Sequence, residues 1–390
     1  MYSNYRRAPN RRNRYAPRGG SNKDVVQRYI SRATAVKPQS VQPAAVADVP
    51  YSSLMLNEKL HENIARHGYT HMTPIQTQAI PAILNGKDVT GIANTGTGKT
   101  AAFLIPIIEQ ILQKKGKRAL IITPTRELAL QIRDEMQKFT VNMPIYSAFC
   151  IGKSSMRDQI YNLRRNPDVV IGTPGRLKDF IERKHLRPSE FNTIVLDEAD
   201  RMLDMGFVQD IRSIISLLPK NRQSLFFSAT VSSAIAQLIS AFTVNPITIS
   251  VKVNETTADI RQEVVTVEMG KKKVDMLHEM LLKEEYKKVL VFGATKHGVE
   301  QLSRELFKRG HKVTSIHGDK AQFQRQQAIR MFKEDVVHVL VATDVAARGL
   351  DINNVSHVVN FDIPKTYEDY IHRIGRTGRA NKTGVALTLV

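Results

Sequence analysis

From Leu54 onward, short β-branched and aliphatic runs alternate with longer stretches whose apolar positions recur at helical spacing. Runs at 88–93, 119–123, 168–172, 193–196, 224–227 and 247–251 form one set of expected strands. Runs at 288–292, 312–316, 337–341, 357–360 and 385–390 form a second. Strands that alternate with helices predict βαβ units and a parallel sheet. The chain is therefore read as two tandem α/β domains, each a mostly parallel sheet flanked by helices. Polar, charged residues 252–263 lie between the sets and read as a linker. The first 50 residues are rich in Arg, Asn, Pro, Gly, Ser and Ala, with few bulky aliphatic side chains. That composition predicts a disordered basic tail, because little apolar surface is present to offset the entropy of ordering. The expected boundaries are 1–50 for the tail, 51–251 for the first domain, 252–263 for the linker and 264–390 for the second domain.

Composition supports this division. A length of 390 residues exceeds what one hydrophobic core normally organises. No apolar run approaches the roughly 20 residues needed to cross a bilayer, and no signal-peptide pattern opens the chain. A cytoplasmic protein with no membrane association is expected. Cys150, the single cysteine, lies in an apolar run and reads as core; no zinc-ligand spacing occurs.

Charge narrows the class of partner. Lys and Arg number 57 against 37 Asp and Glu, a net +20, with a pI near 9.9. Such a field draws a polyanion or an acidic membrane surface. The first 50 residues carry ten basic against two acidic side chains. Tyr2, Tyr5 and Tyr15 among those arginines could stack on bases, the alternative being a solubilising tail.

Three segments carry candidate chemistry. Gly91-Ile92-Ala93-Asn94-Thr95-Gly96-Thr97-Gly98-Lys99-Thr100 follows an expected strand and opens a helical stretch. Glycines there let backbone N–H groups turn toward phosphates at a helix N-terminus, Lys99 meets the β/γ-phosphates and Thr100 ligates Mg²⁺. The first position of the generic phosphate loop is Ala93. Further on, the strand at 193–196 ends in Asp197-Glu198-Ala199-Asp200. Catalytic groups of open parallel sheets sit at the carboxyl ends of strands, so Asp197 can hold Mg²⁺ and Glu198 can orient and deprotonate water. Asp200 is a further acceptor that can couple to neighbouring motifs. In the second domain, His372-Arg373-Ile374-Gly375-Arg376-Thr377-Gly378-Arg379 is basic. Arginines beside a γ-phosphate stabilise transition-state charge, so Arg376 and Arg379 are expected to act on ATP held by the first domain. Simple phosphate contact with RNA is the alternative for this segment, most plausibly for Arg373.

These segments together resemble the DEAD-box RNA helicase family, and the likeness covers residues 51–390 with the major motifs in order. The resemblance implies two RecA-like domains, ATP and Mg²⁺ as cofactors, and largely sequence-independent RNA as partner. Residues 68–76 are similar to the family's Q motif, where Gln76 would read adenine; Tyr51 stands where an aromatic stacks on the base. Tyr51 replaces the usual Phe, and Met72 the usual Pro. Thr95, Gly96, Thr97 and Gly98 would join Lys99 and Thr100 around the nucleotide, with Asp351 on its ribose. Pro124, Thr125, Arg126, Gly152, Thr173 and Arg176 would grip the RNA backbone from the first domain, with Ile151-Gly152 in place of Gly-Gly. Gln322, Arg325 and Thr343 would do so from the second, alongside the segments at 292–295 and 342–351. Asp200, Ser228, Thr230 and His372 would couple the ATP state to strand separation. Within the family, 195–207 and 316–352 look most like the bacterial RhlE-type branch. Relatives usually continue through another helix after the last motif, so the chain is expected to stop short at Val390.

The resulting expectation is a core, monomeric by itself, that closes two domains over ATP and single-stranded RNA and separates short duplexes locally. An ATP-dependent RNA clamp or ribonucleoprotein assembly factor is the first alternative. A DNA translocase is the second.

Overall fold

The computed structural model describes residues 21–35, 48–94, 96–113, 116–230, 232–251, 260–347, 355–378 and 384–390. Its first sheet holds β1 (Val89–Ala93), β2 (Ala119–Ile122), β3 (Ser147–Cys150), β4 (Val169–Gly172), β5 (Thr193–Leu196), β6 (Gln223–Ser228) and β7 (Ile247–Val251). They lie in the order β3-β4-β2-β5-β6-β1-β7, and every pairing is parallel. The second sheet holds β8 (Ile260–Val265), β9 (Val289–Phe292), β10 (Val313–Ile316), β11 (Val339–Ala342), β12 (His357–Asn360) and β13 (Gly384–Leu389). Its order is β10-β11-β9-β12-β13-β8, again parallel throughout.

The near-continuous apolar runs of the sequence arise because helices cover both faces of each sheet. Ile121, Val195, Leu225 and Phe227 pack into one core with α2 (Glu58–Arg66), α3 (Pro74–Leu84), α4 (Lys99–Gln113) and α5 (Arg126–Phe139). Their neighbours Leu120, Ile122, Ile194, Leu196 and Phe226 face the opposite core. That core is shared with α6 (Met156–Leu163), α7 (Pro174–Glu182), α8 (Ala199–Asp204), α9 (Val208–Ser216) and α10 (Ser233–Phe242). The second domain repeats the device. Val289, Val291, Val339 and Val341 pack with α11 (Lys273–Leu281) and α12 (Lys296–Lys308). Leu290, Phe292, Leu340 and Ala342 face the other way, toward α13 (Gln322–Lys333), α14 (Asp344–Ala347) and α15 (Tyr367–Ile374).

Two expected boundaries are corrected. Residues 260–263 are the start of β8, paired with β13 from Ile260↔Gly384 to Val265↔Leu389, so they belong to the second sheet. Polar residues are tolerated there because β8 is an edge strand, with a partner on one side only; the rest of the expected linker, 252–259, lies outside the described residues.

The expectation of disorder across residues 1–50 fails for Asn22–Ala35, which forms α1. Ser21 and Asp24 cap this helix reciprocally: Ser21 N–H donates to Asp24 Oδ2 at 2.8 Å and Asp24 N–H to Ser21 Oγ at 3.3 Å. Those bonds hold the Asp24 carboxyl below its usual range. Val26, Tyr29, Ile30 and Ala33 fall at i, i+3, i+4 and i+7, one face of a helix. Tyr29, Ile30 and Ala33 join the second domain's core beside Tyr367, Tyr370 and Ile374 of α15. The Tyr29 ring lies 5.9 Å from Tyr367 and 5.7 Å from Tyr370, and the Arg32 guanidinium sits 4.0 Å over the Tyr367 ring. The remainder of the expected tail, except Ser21 and residues 48–50, is outside the described residues.

Candidate active site

Three of the expected motifs meet because β5, β6 and β1 are neighbours in the first sheet. Their carboxyl ends present, side by side, the acidic turn after Leu196, Ser228-Ala229-Thr230, and the loop after Ala93. Ligands of open α/β sheets bind at this edge. Gly91 allows the close approach of β1 and β6: a Cβ there would lie 2.6 Å from the Phe227 ring.

The loop itself is built for phosphates. Gly96 and Gly98 take positive φ of 87° and 91°, a conformation costly for other residues. Thr97 Oγ1 donates to the Asn94 carbonyl at 2.8 Å, and Lys99 Nζ to the Ala93 carbonyl at 2.6 Å. Lys99 opens α4 and is buried, as is Asp197. Burial raises the Asp197 carboxyl above its usual range, the adjacent Glu198 adds to the rise, and Lys99 opposes it. A divalent cation would relieve that penalty. Thr100 and Asp197 are a donor set suited to Mg²⁺, which keeps waters and binds through one or two protein oxygens plus substrate phosphates. Thr95 lies outside the described residues.

Glu198 sits at the start of α8 with φ 53° and ψ 49°. Its N–H donates to Asp197 Oδ1 at 3.0 Å. Its Oε2 accepts a hydrogen bond from Arg201 Nη1 at 2.6 Å. Arg201 is missing from the sequence reading. Asp200 Oδ2 accepts the N–H groups of Ala229 and Thr230, both at 3.0 Å, and the Thr230 hydroxyl at 3.1 Å. Ser228 Oγ donates to the Thr230 carbonyl at 2.7 Å. The structure thus brings Asp200, Ser228 and Thr230 into one hydrogen-bonded unit.

Gln76 is buried beside the phosphate loop, where its Nε2 donates to the Gly98 carbonyl at 3.0 Å. Its Oε1 accepts from the Thr73 N–H at 2.8 Å and the Tyr51 hydroxyl at 2.6 Å. Tyr51, the expected stacking platform, is itself 2% exposed and lies edge-on to Tyr69 at 5.9 Å. The two expected adenine-site residues therefore meet each other.

The expected RNA-facing residues occupy the ends of β2, β3 and β4. Pro124 precedes Thr125, which caps α5 by accepting the Leu128 N–H at 3.3 Å. Arg126 Nη1 reaches the Gly152 carbonyl at 3.4 Å. Thr173 starts α7, and Arg176 Nη1 donates to Gln159 Oε1 at 3.2 Å. From the second domain, Arg325 Nη2 pairs with Glu127 Oε2 at 2.7 Å, and Gln322 Nε2 donates to Glu127 Oε1 at 3.3 Å. Lys153 adds contacts to the Gly318 carbonyl and to Asp319. Glu127 directly follows Arg126, so these contacts join the two domains through Gln322 and Arg325, residues expected to face RNA.

In the second domain, Thr343 is buried and its N–H donates to the Ile316 carbonyl at 3.4 Å. Arg373 makes a bidentate pair with Asp344 at 2.6 and 2.8 Å, and donates to Asn360 Oδ1 at 3.1 Å and the Asp362 carbonyl at 2.6 Å. A guanidinium so occupied braces α15 against β12 and α14. His372 lies in the last turn of α15, and Arg376 follows the helix, buried. Arg379 and Asp351 lie outside the described residues. Cys150, expected as core, is fully buried, and that burial raises its thiol.

Fold and site define a protein of two parallel-sheet domains, the first with a phosphate loop beside an acidic strand end. Residues 73–238 match the DEAD/DEAH box helicase family, and residues 272–381 match the helicase conserved C-terminal domain. The chain is 45% identical over 348 residues to the Bacillus subtilis DEAD-box ATP-dependent RNA helicase CshA, covering 88% of this chain and 69% of the relative. It is 46% identical over 341 residues to the Listeria monocytogenes ATP-dependent RNA helicase CshA, covering 87% and 66%. A Saccharomyces cerevisiae Dbp5 structure bound to RNA and ADP BeF3 aligns with a TM-score of 0.77 and 32% identity, over 88% of this chain and 90% of that one. The chain belongs to the DEAD-box ATP-dependent RNA helicase family. Its similarity to proteins named CshA gives no support to the RhlE-type placement expected from 195–207 and 316–352. Among the described residues, no helix is long and apolar enough to cross a membrane.

Proposed function

We propose that the chain hydrolyses ATP in response to RNA and uses the cycle of domain closure to separate short RNA duplexes. The observation that carries this reading is the Asp200 carboxylate, which binds Ala229 and Thr230 while standing two residues from Glu198. Any shift of the acidic turn on nucleotide binding is thereby passed to the Ser228–Thr230 segment. The names of the CshA relatives and the RNA-bound Dbp5 structure support RNA as the substrate.

In this reading Lys99 and the loop at 95–100 hold the phosphates, Thr100 and Asp197 hold Mg²⁺, and Glu198 accepts a proton from the attacking water. The metal, when bound, neutralises charge on the phosphate oxygens. Arg376 and Arg379 approach the γ-phosphate from the second domain, so turnover waits for closure. Gln76 and Tyr51 select adenine, with Asp351 on the ribose. The residues at 124–126, 152, 173, 176, 322, 325 and 343 line the path of the RNA backbone. His372 takes its place with Asp200, Ser228 and Thr230 in passing the ATP state to that path. A cytoplasmic location is part of this reading, and the bacterial origin of the CshA relatives supports it.

Lys99→Ala is expected to abolish productive ATP binding. Glu198→Gln is expected to retain nucleotide binding and to lose roughly 10²- to 10⁴-fold in hydrolysis, the usual effect of removing a general base. Steady-state ATPase and nucleotide titration on the same preparations check both, and a wild-type rate for Glu198→Gln refutes the assignment of the base.

A further inference from the structure

Arg201 has no place in the chemistry described so far, yet it touches the residue assigned as the base. It lies on the first turn of α8, three positions after Glu198. Their side chains are 6% and 5% exposed, and Arg201 Nη1 lies 2.6 Å from Glu198 Oε2. A pair this dry differs from the solvated i,i+3 pairs of helix surfaces, which hold neither partner firmly.

The backbone adds a second constraint. Glu198 takes a left-handed conformation, φ 53° and ψ 49°, which a non-glycine residue keeps only where its surroundings fix it. They do so from both sides. Asp197 Oδ1 accepts the Glu198 N–H at 3.0 Å, and Asp200 Oδ1 accepts the Arg201 N–H at 3.1 Å. The Glu198 carboxylate is thus aimed by its main chain and gripped at one oxygen. Among the described residues, Oε2 carries the only hydrogen bond made by this carboxylate. Oε1 is left for another donor. A base oriented by a third group, with one atom kept open for the proton, is a recurrent arrangement in catalysis.

We propose that Arg201 is a positioning residue for ATP hydrolysis: it pins Oε2 of Glu198 so that Oε1 meets the attacking water. The proposal rests on Glu198 being the base. In the step it serves, the water oxygen bonds to the γ-phosphorus while the bond to the bridging oxygen breaks. ADP leaves with that electron pair, and the water proton passes to Oε1. Arg201 touches none of the reacting atoms and acts through Glu198 alone.

A purely structural ion pair would also be buried, and removing one partner of such a pair destabilises a protein. The two roles separate in a double-mutant cycle of Arg201→Met and Glu198→Gln, with Arg201→Lys as the variant that keeps the charge. ATPase is measured at saturating homopolymer RNA, nucleotide affinity with a fluorescent ATP analogue, and folding by thermal melts. With Glu198 present, Arg201→Met is expected to lower kcat about 10- to 100-fold, with KM for ATP changed less than about twofold. Arg201→Lys is expected to recover part of the loss. With Glu198→Gln in place, adding Arg201→Met is expected to change the residual rate less than about twofold, because the two residues act as one unit. Equal fold losses in both backgrounds, or a loss of nucleotide affinity in step with kcat, would overturn the proposal and leave Arg201 structural. If Arg201→Met does not fold, a wild-type kcat for Arg201→Lys with an intact melt overturns it as well, because a lysine cannot reproduce the guanidinium's grip at the same reach. A wild-type rate for Glu198→Gln alone removes the base, and Arg201's role with it.

Discussion

At the scale of single residues, the sequence marked candidates for the chemistry wherever residue type and strand-end position together left few alternatives. Lys99 after a glycine turn and Asp197-Glu198 at the end of an apolar strand are of this kind. Contacts between distant residues were not legible: Gln322 and Glu127 are separated by 195 positions, yet their side chains meet. Arg201 was hidden for the opposite reason, since an Arg three residues from a Glu is an ordinary surface pattern until burial is known. The Tyr51–Gln76 contact is specific to a tyrosine and yields a prediction. Tyr51→Phe deletes the donor to Gln76 Oε1, leaving the Thr73 N–H as its remaining partner. The released acceptor can serve an adenine amino group, and one hydrogen bond is worth about 0.5–1.5 kcal/mol net. Competition titrations of ATP against GTP should show a preference for ATP higher by about 2- to 10-fold, the same energy expressed as affinity. An unchanged or lower preference would show that Tyr51 does not restrain Gln76.

At the scale of elements, the parallel strands were readable because burial on both faces makes them continuously apolar, as in Ala119–Ile122 and Val289–Phe292. The edge strand β8 was not, because one side of it faces solvent and Arg261 and Glu263 are affordable there. The stripe of Val26, Tyr29, Ile30 and Ala33 was present in the sequence but was averaged away by the composition of fifty residues. α1 therefore belongs to the folded second domain, and its contacts are testable. Tyr29→Ala removes two aromatic neighbours and a weak hydrogen bond to the Lys365 carbonyl at 3.4 Å. Aromatic pairs contribute ~0.5–1.5 kcal/mol each beyond their area, so urea unfolding should show the variant less stable by about 1–3 kcal/mol. A melt identical to wild type would mean that α1 contributes nothing to the second domain.

At the scale of the whole molecule, the two domains are tied by the buried pair of Arg325 with Glu127, whose side chains are 5% and 3% exposed. A pair this desolvated is costly unless geometry holds both partners, so it reports domains pressed together along the expected RNA track. The alignment with the RNA- and ADP BeF3-bound Dbp5 structure spans both domains. Together these favour a cycle in which contact between the domains, turnover and grip on RNA rise and fall as one. The measurement closest to that claim follows ATP hydrolysis and displacement of a short RNA duplex in the same samples, as single-stranded RNA or DNA of equal length is added. The account predicts that RNA raises the ATPase rate well above the level with DNA, and that strands separate only when ATP is present. An ATPase rate indifferent to RNA, or strand displacement that proceeds without ATP, would contradict it.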